Sequence, residues 1–286
     1  MKKIAIVFFL AFSFFGFSQL DHPKASPAAT ISQMVGFTNI EIKYSRPATR
    51  GRAIFGELVP YGRIWRVGAN ASTKITIDTE IAVLGNKLPK GTYALYAFPK
   101  ENEWEVVFHN NTTHWGDGRT QYNPEEDVFR IKVKPLSTAS HQENFLISFD
   151  NISHDSCDMI WHWAKTRVVI PITVDTKGMM YKQIEKALQP GPSAQTYYEV
   201  ARYYVEQKTN YQEALQYLNK ALELGGDTYY FHRVKSLAEA ALGHHQSAIK
   251  SAKKSLKIAD SLGKDEFVRM NQKNIELWQA QSKSEQ

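Results

Sequence analysis

An α+β multidomain protein is predicted by three observations: alternation of apolar and polar residues with period two over 31–174, helical periodicity from 175 onward, and a length of 286 residues. A chain of that length exceeds one comfortable core, because single domains above roughly 250 residues usually divide. The alternation is plain at Ile40, Ile42 and Tyr44, at Trp104, Val106 and Phe108, and at Phe129, Ile131 and Val133. It returns over 73–77, at Phe145, Ile147 and Phe149, and at Val168, Ile170, Ile172 and Val174, so about nine or ten half-buried strands are expected. Their short connections favour antiparallel pairing, with Gly85-Asn86 read as a two-residue hairpin turn. No helical pattern interrupts them, so residues 19–175 are expected to form an antiparallel β-sandwich, jelly-roll-like, followed by helical repeats over 176–286.

At the N-terminus, Lys2 and Lys3 precede an apolar run over 4–17, and small residues at Gly16 and Ser18 stand before Gln19. This is the pattern of a secretory signal peptide over 1–18, with the mature chain beginning at Gln19. No later run approaches the roughly 20 apolar residues of a membrane span, so the expectation is an exported protein, periplasmic or extracellular. The formal charge of +6 is mild and its bases are mixed with acids, which argues against nucleic acid as a partner. The single Cys157 excludes an internal disulfide. It alternates with Met159, Trp161 and Trp163 on an apolar strand face, with His162 on the opposite face, so a Cys–His nucleophile is not expected.

Residues 45–73 are too rich in Gly and Pro for a regular element, yet Ile54, Phe55, Leu58, Val59 and Trp65 call for burial. A packed, irregular surface segment is expected. It carries Arg46, Arg50, Arg52, Arg63 and Arg66 against one acid, Glu57, with Tyr61 and Trp65 among them. Guanidinium forks and aromatic faces suit anions and flat rings, so Arg46, Arg50, Arg52, Trp65, Arg66 and Asn70 are candidate contacts for a carboxylate, a phosphate or an acidic sugar. The alternative is that these arginines bond the carbonyls of their own irregular backbone.

This segment resembles the bacterial domain of unknown function 2911, whose pattern residues 46–73 match almost without gaps. The resemblance extends over roughly 27–172, through residues 88–96, Trp104, Trp115-Gly116, Glu126-Asp127-Val128 and residues 163–172. It implies a shared fold and carries no reaction with it.

The polar stretch 110–126 is long for a connection, and loops of that length are often functional. Trp115 within it either packs the loop down or offers a stacking face to a ligand. His109, His114 and Asp117 suggest metal ligands but match no familiar spacing, so neither a metal nor a cofactor is expected. Glu125, Glu126 and Asp127 read as a solvated turn before the strand at Val128, with a paired acid and base as the alternative.

Beyond Asp175, Lys186-Ala187-Leu188, Lys220-Ala221-Leu222 and Lys254-Ser255-Leu256 recur every 34 residues, as do Ile184, Leu218 and Ala252. The helical unit resembles the tetratricopeptide repeat, with about six helices bounded by Ser193, by Gly225-Gly226-Asp227, which ends one helix and caps the next, by Gly243 and by Gly263. Such arrays bind peptides on a concave face, where the resemblance implies Tyr197, Tyr198, Arg202, Tyr230 and Arg233 as partner contacts; the alternative is that the tyrosines fill the core. The expected function is non-catalytic: a polar-ligand or scaffold surface on the sandwich, and a protein or peptide partner for the helices. Two alternatives stand beside it, a glycan hydrolase using the acids near the 110–127 loop and a purely structural assembly factor.

Overall fold

The computed structural model describes residues 22–116 and 119–284; the expected leader, the expected start at Gln19 and Asp117 lie outside the described residues. The chain divides into two compact units, after Thr176. In the first, β1 (Ala28–Val35), β2 (Thr38–Ser45), β3 (Thr73–Ile77), β4 (Ile81–Val83), β5 (Asn86–Leu88), β6 (Gly91–Phe98), β7 (Trp104–His109), β8 (Asp127–Val133), β9 (Leu136–Asp150) and β10 (Ser156–Val174) follow in order. They make two antiparallel sheets, one of six strands ordered β1-β2-β3-β6-β7-β8 and one of four ordered β5-β4-β10-β9. Alternation explains the layering, because Ile40, Ile42, Ile75, Ile77, Val106, Phe108, Ile131, Ile147, Met159, Trp161 and Ile170 all turn into one core.

Three details differ from the sequence reading. The β4–β5 turn is Leu84-Gly85, with both residues at positive φ (47° and 81°), rather than Gly85-Asn86. That register places Ile81 opposite Leu88, both buried, which the turn one residue later would forbid. β9 begins at Leu136, well before the alternation at Phe145. β10 runs unbroken from Ser156 to Val174, with register shifts around Ala164, whose φ of 53° marks the irregularity.

The 46–72 segment joins β2 to β3 as a series of turns. Trp65 exchanges both backbone hydrogen bonds with Ala97 of β6, at 2.7 and 2.8 Å, beside the stretch of β6 that β3 pairs with. Its ring is 6% exposed, stacked on Trp163 at 6.0 Å, with Phe55, Trp104 and Phe145 around it. These rings close the sandwich over the irregular backbone. Gly68 is required where it stands: its φ is 143°, and a Cβ there would lie 2.9 Å from the Ser45 carbonyl oxygen.

The second unit is helical: α1 (Thr176–Ala187), α2 (Ala194–Glu206), α3 (Tyr211–Glu223), α4 (Tyr229–Ala241), α5 (His245–Ser261) and α6 (Asp265–Ser284). Ile184, Leu218 and Ala252, Ala214 and Ala248, and Ala221 and Ser255 are each buried, so the 34-residue step in the sequence is a packing period. Ser193 caps α2 by accepting from the Thr196 N–H at 3.1 Å, as its position predicts. The cap of α4 is Thr228 rather than Asp227, which instead bonds His232 and Lys254. No helix among the described residues is long and apolar enough to cross a membrane.

Candidate functional site

The outer face of the six-stranded sheet carries a second, smaller cluster. Ala94, Tyr96 and Val107 point away from the main core there and are covered by Ile64, Phe98 and Tyr122. The same alternation that sends Phe108 inward puts His109 outward, where the ring is fully buried. A register shift between Phe108 and His109 sets His109 opposite Asp127, the first residue of β8. The two side chains meet, Nδ1 to Oδ1, at 2.9 Å.

Asp127 is heavily engaged. Besides His109, its carboxylate accepts from the Tyr122 hydroxyl at 2.6 Å and from Arg130 Nε at 2.8 Å. Arg130 continues to Glu105 at 3.3 Å. Burial first, and then the bond to Asp127, push the Tyr122 hydroxyl pKa well above the ordinary tyrosine range.

Glu126 ends a short 3₁₀ turn, Pro124–Glu126, capped by Asn123. Its Oε2 lies 3.4 Å from His109 Nε2, and Asn111 Nδ2 reaches its Oε1 at 3.3 Å. His114 sits over the same place, buried, with Nδ1 3.2 Å from the Tyr96 hydroxyl. Burial, with the neighbouring His109 imidazole adding to it, moves the His114 pKa below the ordinary histidine value. Among the described residues, His109, His114 and Glu126 are the group able to hold a metal ion, with one ligand atom from each lying within 4.8 Å of the others. The sequence pairs the two histidines but offers Asp117 as the acid. Glu126 enters only through the β7–β8 register, which no local spacing encodes.

The arginine segment is divided in its duties. Arg46 Nε donates to the Phe145 carbonyl at 3.0 Å, and Arg50 is bound through its backbone N–H to Glu143 at 2.9 Å and through Nη2 to the Ala25 carbonyl at 3.4 Å. Thr49 donates to the same Glu143, whose pKa these bonds, with His141 beside them, lower to about 2. Arg52 donates from Nε to the Thr49 carbonyl at 2.9 Å and from Nη2 to the Ala48 carbonyl at 2.8 Å. Asn70, in the left-handed region at φ 61°, donates to Ser26 and Ser45. Val67, fully buried at φ 54°, is rarer still for a β-branched residue; Thr73 Oγ1 donates to its carbonyl at 2.5 Å.

Arg52, Trp65 and Arg66 border one cavity of about 360 Å³, together with Arg119 and the apolar Leu58, Ile64 and Trp163. Arg46, Arg50, Asn70 and Trp115 do not line it. Trp115 is 64% exposed and is joined to the segment by a backbone bridge to Ala71. Arg119, from the far side of the 110–126 loop, was not picked out from the sequence, since its place depends on how that loop folds back.

In the helical unit, Tyr198 is core, stacked on Phe231 at 4.5 Å. Tyr197 packs near Tyr217 and Tyr230 near Tyr198, both part-buried, and Arg233 bonds Asn271 at 3.3 Å. Arg202 is exposed and paired with Glu199 and Glu206. Cys157 is buried on the core face with Met159 and Trp161, and burial pushes its thiol up to about 11, which leaves it inert as a nucleophile at neutral pH.

Fold and site together define a two-sheet β domain with an arginine-bordered cavity and a histidine–carboxylate cluster, followed by a helical region. The chain belongs to the family described as protein of unknown function DUF2911, which matches residues 26–172. No curated protein matches the chain.

Proposed function

We propose that the chain is an exported, non-catalytic binding protein whose β unit takes a small carboxylate- or phosphate-bearing molecule, and whose helical repeat engages a protein partner. The observation that carries the ligand reading is the cavity at Arg52, Arg66 and Arg119: three guanidiniums border it, and none of the described residues lining it is acidic. Two bonds from its Nε and Nη2 to backbone carbonyls hold Arg52 in place, so its remaining N–H groups are positioned before a ligand arrives. The apolar wall of Leu58, Ile64 and Trp163 suits the carbon skeleton of such a ligand, and the arginines suit its charged end. For the helical unit, the support is the 34-residue packing period and the exposed Arg202.

The test is a thermal-shift and calorimetric screen of the full chain against citrate, pyrophosphate and glucuronate, with glucose as the neutral control. One anion class is expected to raise the melting temperature, and Arg119→Ala to weaken its binding tenfold or more. No shift of the parent by any anion would contradict the ligand reading.

A further inference from the structure

We propose that His109, His114 and Glu126 form a binding site for a divalent first-row transition ion of the zinc class, held by two imidazole nitrogens and one carboxylate oxygen. The placement of the His109 ring carries the argument. Its Nδ1 faces Asp127, which also accepts from Tyr122 and Arg130 and is therefore the acceptor of the third bond as well. With Nδ1 engaged by Asp127, Nε2 is the ring nitrogen left to meet a ligand. This Nε2 is fully buried and makes no hydrogen bond. What it faces is a second acceptor, Glu126 Oε2, at 3.4 Å.

A buried ring nitrogen turned toward a carboxylate oxygen calls for a shared positive charge, either a proton or a metal ion. His114 decides between them. A proton shared by His109 and Glu126 has no use for a third basic atom, yet the His114 ring stands 5.5 Å from the His109 ring and offers a nitrogen to the same point. An ion about 2.0–2.1 Å from each ligand in tetrahedral geometry sets ligand atoms about 3.3 Å apart. The His109–Glu126 separation of 3.4 Å already meets that spacing, and the His114 ligand atom lies within 4.8 Å of both.

The surroundings are those of a ligand set held from behind. Asp127 backs His109 as the carboxylate partner of a metal-bound imidazole, Asn111 orients Glu126, and the Tyr96 hydroxyl meets His114 Nδ1 at 3.2 Å. Two imidazoles select a transition ion over calcium or magnesium, which take oxygen ligands. Three protein ligands leave a fourth position, and the Glu126 side chain, 37% exposed, marks the side from which solvent reaches it. The site is separate in its residues from the arginine-bordered cavity, so the anion screen and the metal test fail independently.

The experiment uses the full chain, stripped by a chelator and titrated with Co²⁺ and then Zn²⁺. The proposal expects one Co²⁺ per chain with a visible ligand-field band, displaced by Zn²⁺. Glu126→Gln, which keeps the side-chain shape, and His114→Asn, on a loop, should each weaken Zn²⁺ binding about 100-fold or more, and Asp127→Asn about 10- to 100-fold. Near-UV circular dichroism of each variant confirms that the fold is retained. Absence of the Co²⁺ band, or binding untouched by both Glu126→Gln and His114→Asn, would overturn the proposal. So would nitrogen-15 shifts showing both nitrogens of His109 protonated at saturating Zn²⁺, because the occupant would then be a proton.

Discussion

The two units differ in what they bury most completely. In the β unit the largest fully buried groups are Trp104, Trp161, Tyr96, Phe108 and Phe145, drawn from four different strands. The helical unit buries Ala201, Ala214, Ala221, Ala238, Ala248 and Ala252 completely, with Leu218 among them. Rings are needed where two sheets about 10 Å apart must be filled across an irregular segment, whereas small residues let neighbouring helices approach closely. Buried polar groups follow the same division. In the helices they pin one element to the next: Ser255 donates to the Tyr229 carbonyl, Asn271 to Ser255, and Arg233 to Asn271. On the outer face of the six-stranded sheet they instead converge on one point, through His109, His114 and Glu126. Pairwise pinning is a folding device, and convergence of ligand atoms is a binding device.

The sharpest way to break this comparison is to remove a ring. Trp104→Ala takes away an indole that is 2% exposed and packs edge-on against Trp65. A loss of about 3–5 kcal/mol is expected in the β unit alone. Denaturant unfolding followed by near-UV circular dichroism checks it, and equal destabilisation of the helices would merge the two units into one. The converse change adds a ring where a small residue is required. Ala221→Trp, at a fully buried position on α3, should overpack the helical core by about 1–3 kcal/mol or more while the β transition stays in place.

A smaller effect sharpens the role of the arginine segment. Glu143 ties Thr49 and Arg50 to β9, and its pKa is lowered to about 2 from an ordinary 4.5. A depressed carboxylate contributes stability above its unfolded pKa and loses it as pH falls through the folded one. Melting temperatures of the parent and of Glu143→Gln should therefore differ at pH 6 and converge as the pH drops from about 4.5 toward 2. A gap that persists at low pH would mean that the charge of Glu143 is not what holds the segment.

The sheet was legible wherever one face is buried and the other wet, as at Ile40, Ile42 and Tyr44. It was illegible over the first half of β9, where Leu136, Ser137, Ser140 and His141 are all exposed and leave no alternation. Ala164 hid the continuity of β10, because a bulge shifts the phase of the pattern without ending the strand. The helical period was legible because the small buried positions repeat at a fixed step, and the cap at Ser193 because capping is a local interaction. Asp227 misled as a cap because its carboxylate is drawn to Lys254 and His232, and Lys254 lies a whole helix away in sequence. The arginine segment was legible as packed and irregular, but its sequence could not separate Arg52 and Arg66, beside the cavity, from Arg46, which holds the Phe145 carbonyl. The histidine cluster was half legible: His109 and His114 are near in sequence, while Glu126 arrives through strand pairing.

The central claim is that the β unit carries the binding chemistry and the helical unit folds on a core of its own. Five of the six tryptophans, Trp65, Trp104, Trp115, Trp161 and Trp163, lie in the β unit, so the tryptophan part of the near-UV signal reports mainly on its unfolding, and far-UV ellipticity at the helix minimum reports mainly on the other unit. One measurement addresses the claim directly: thermal unfolding of the full chain by both signals, with a chelator and then with saturating Zn²⁺. The predicted result is two transitions, of which only the near-UV one moves to higher temperature with the ion. A shift confined to the far-UV transition, or no shift of either, would contradict the account.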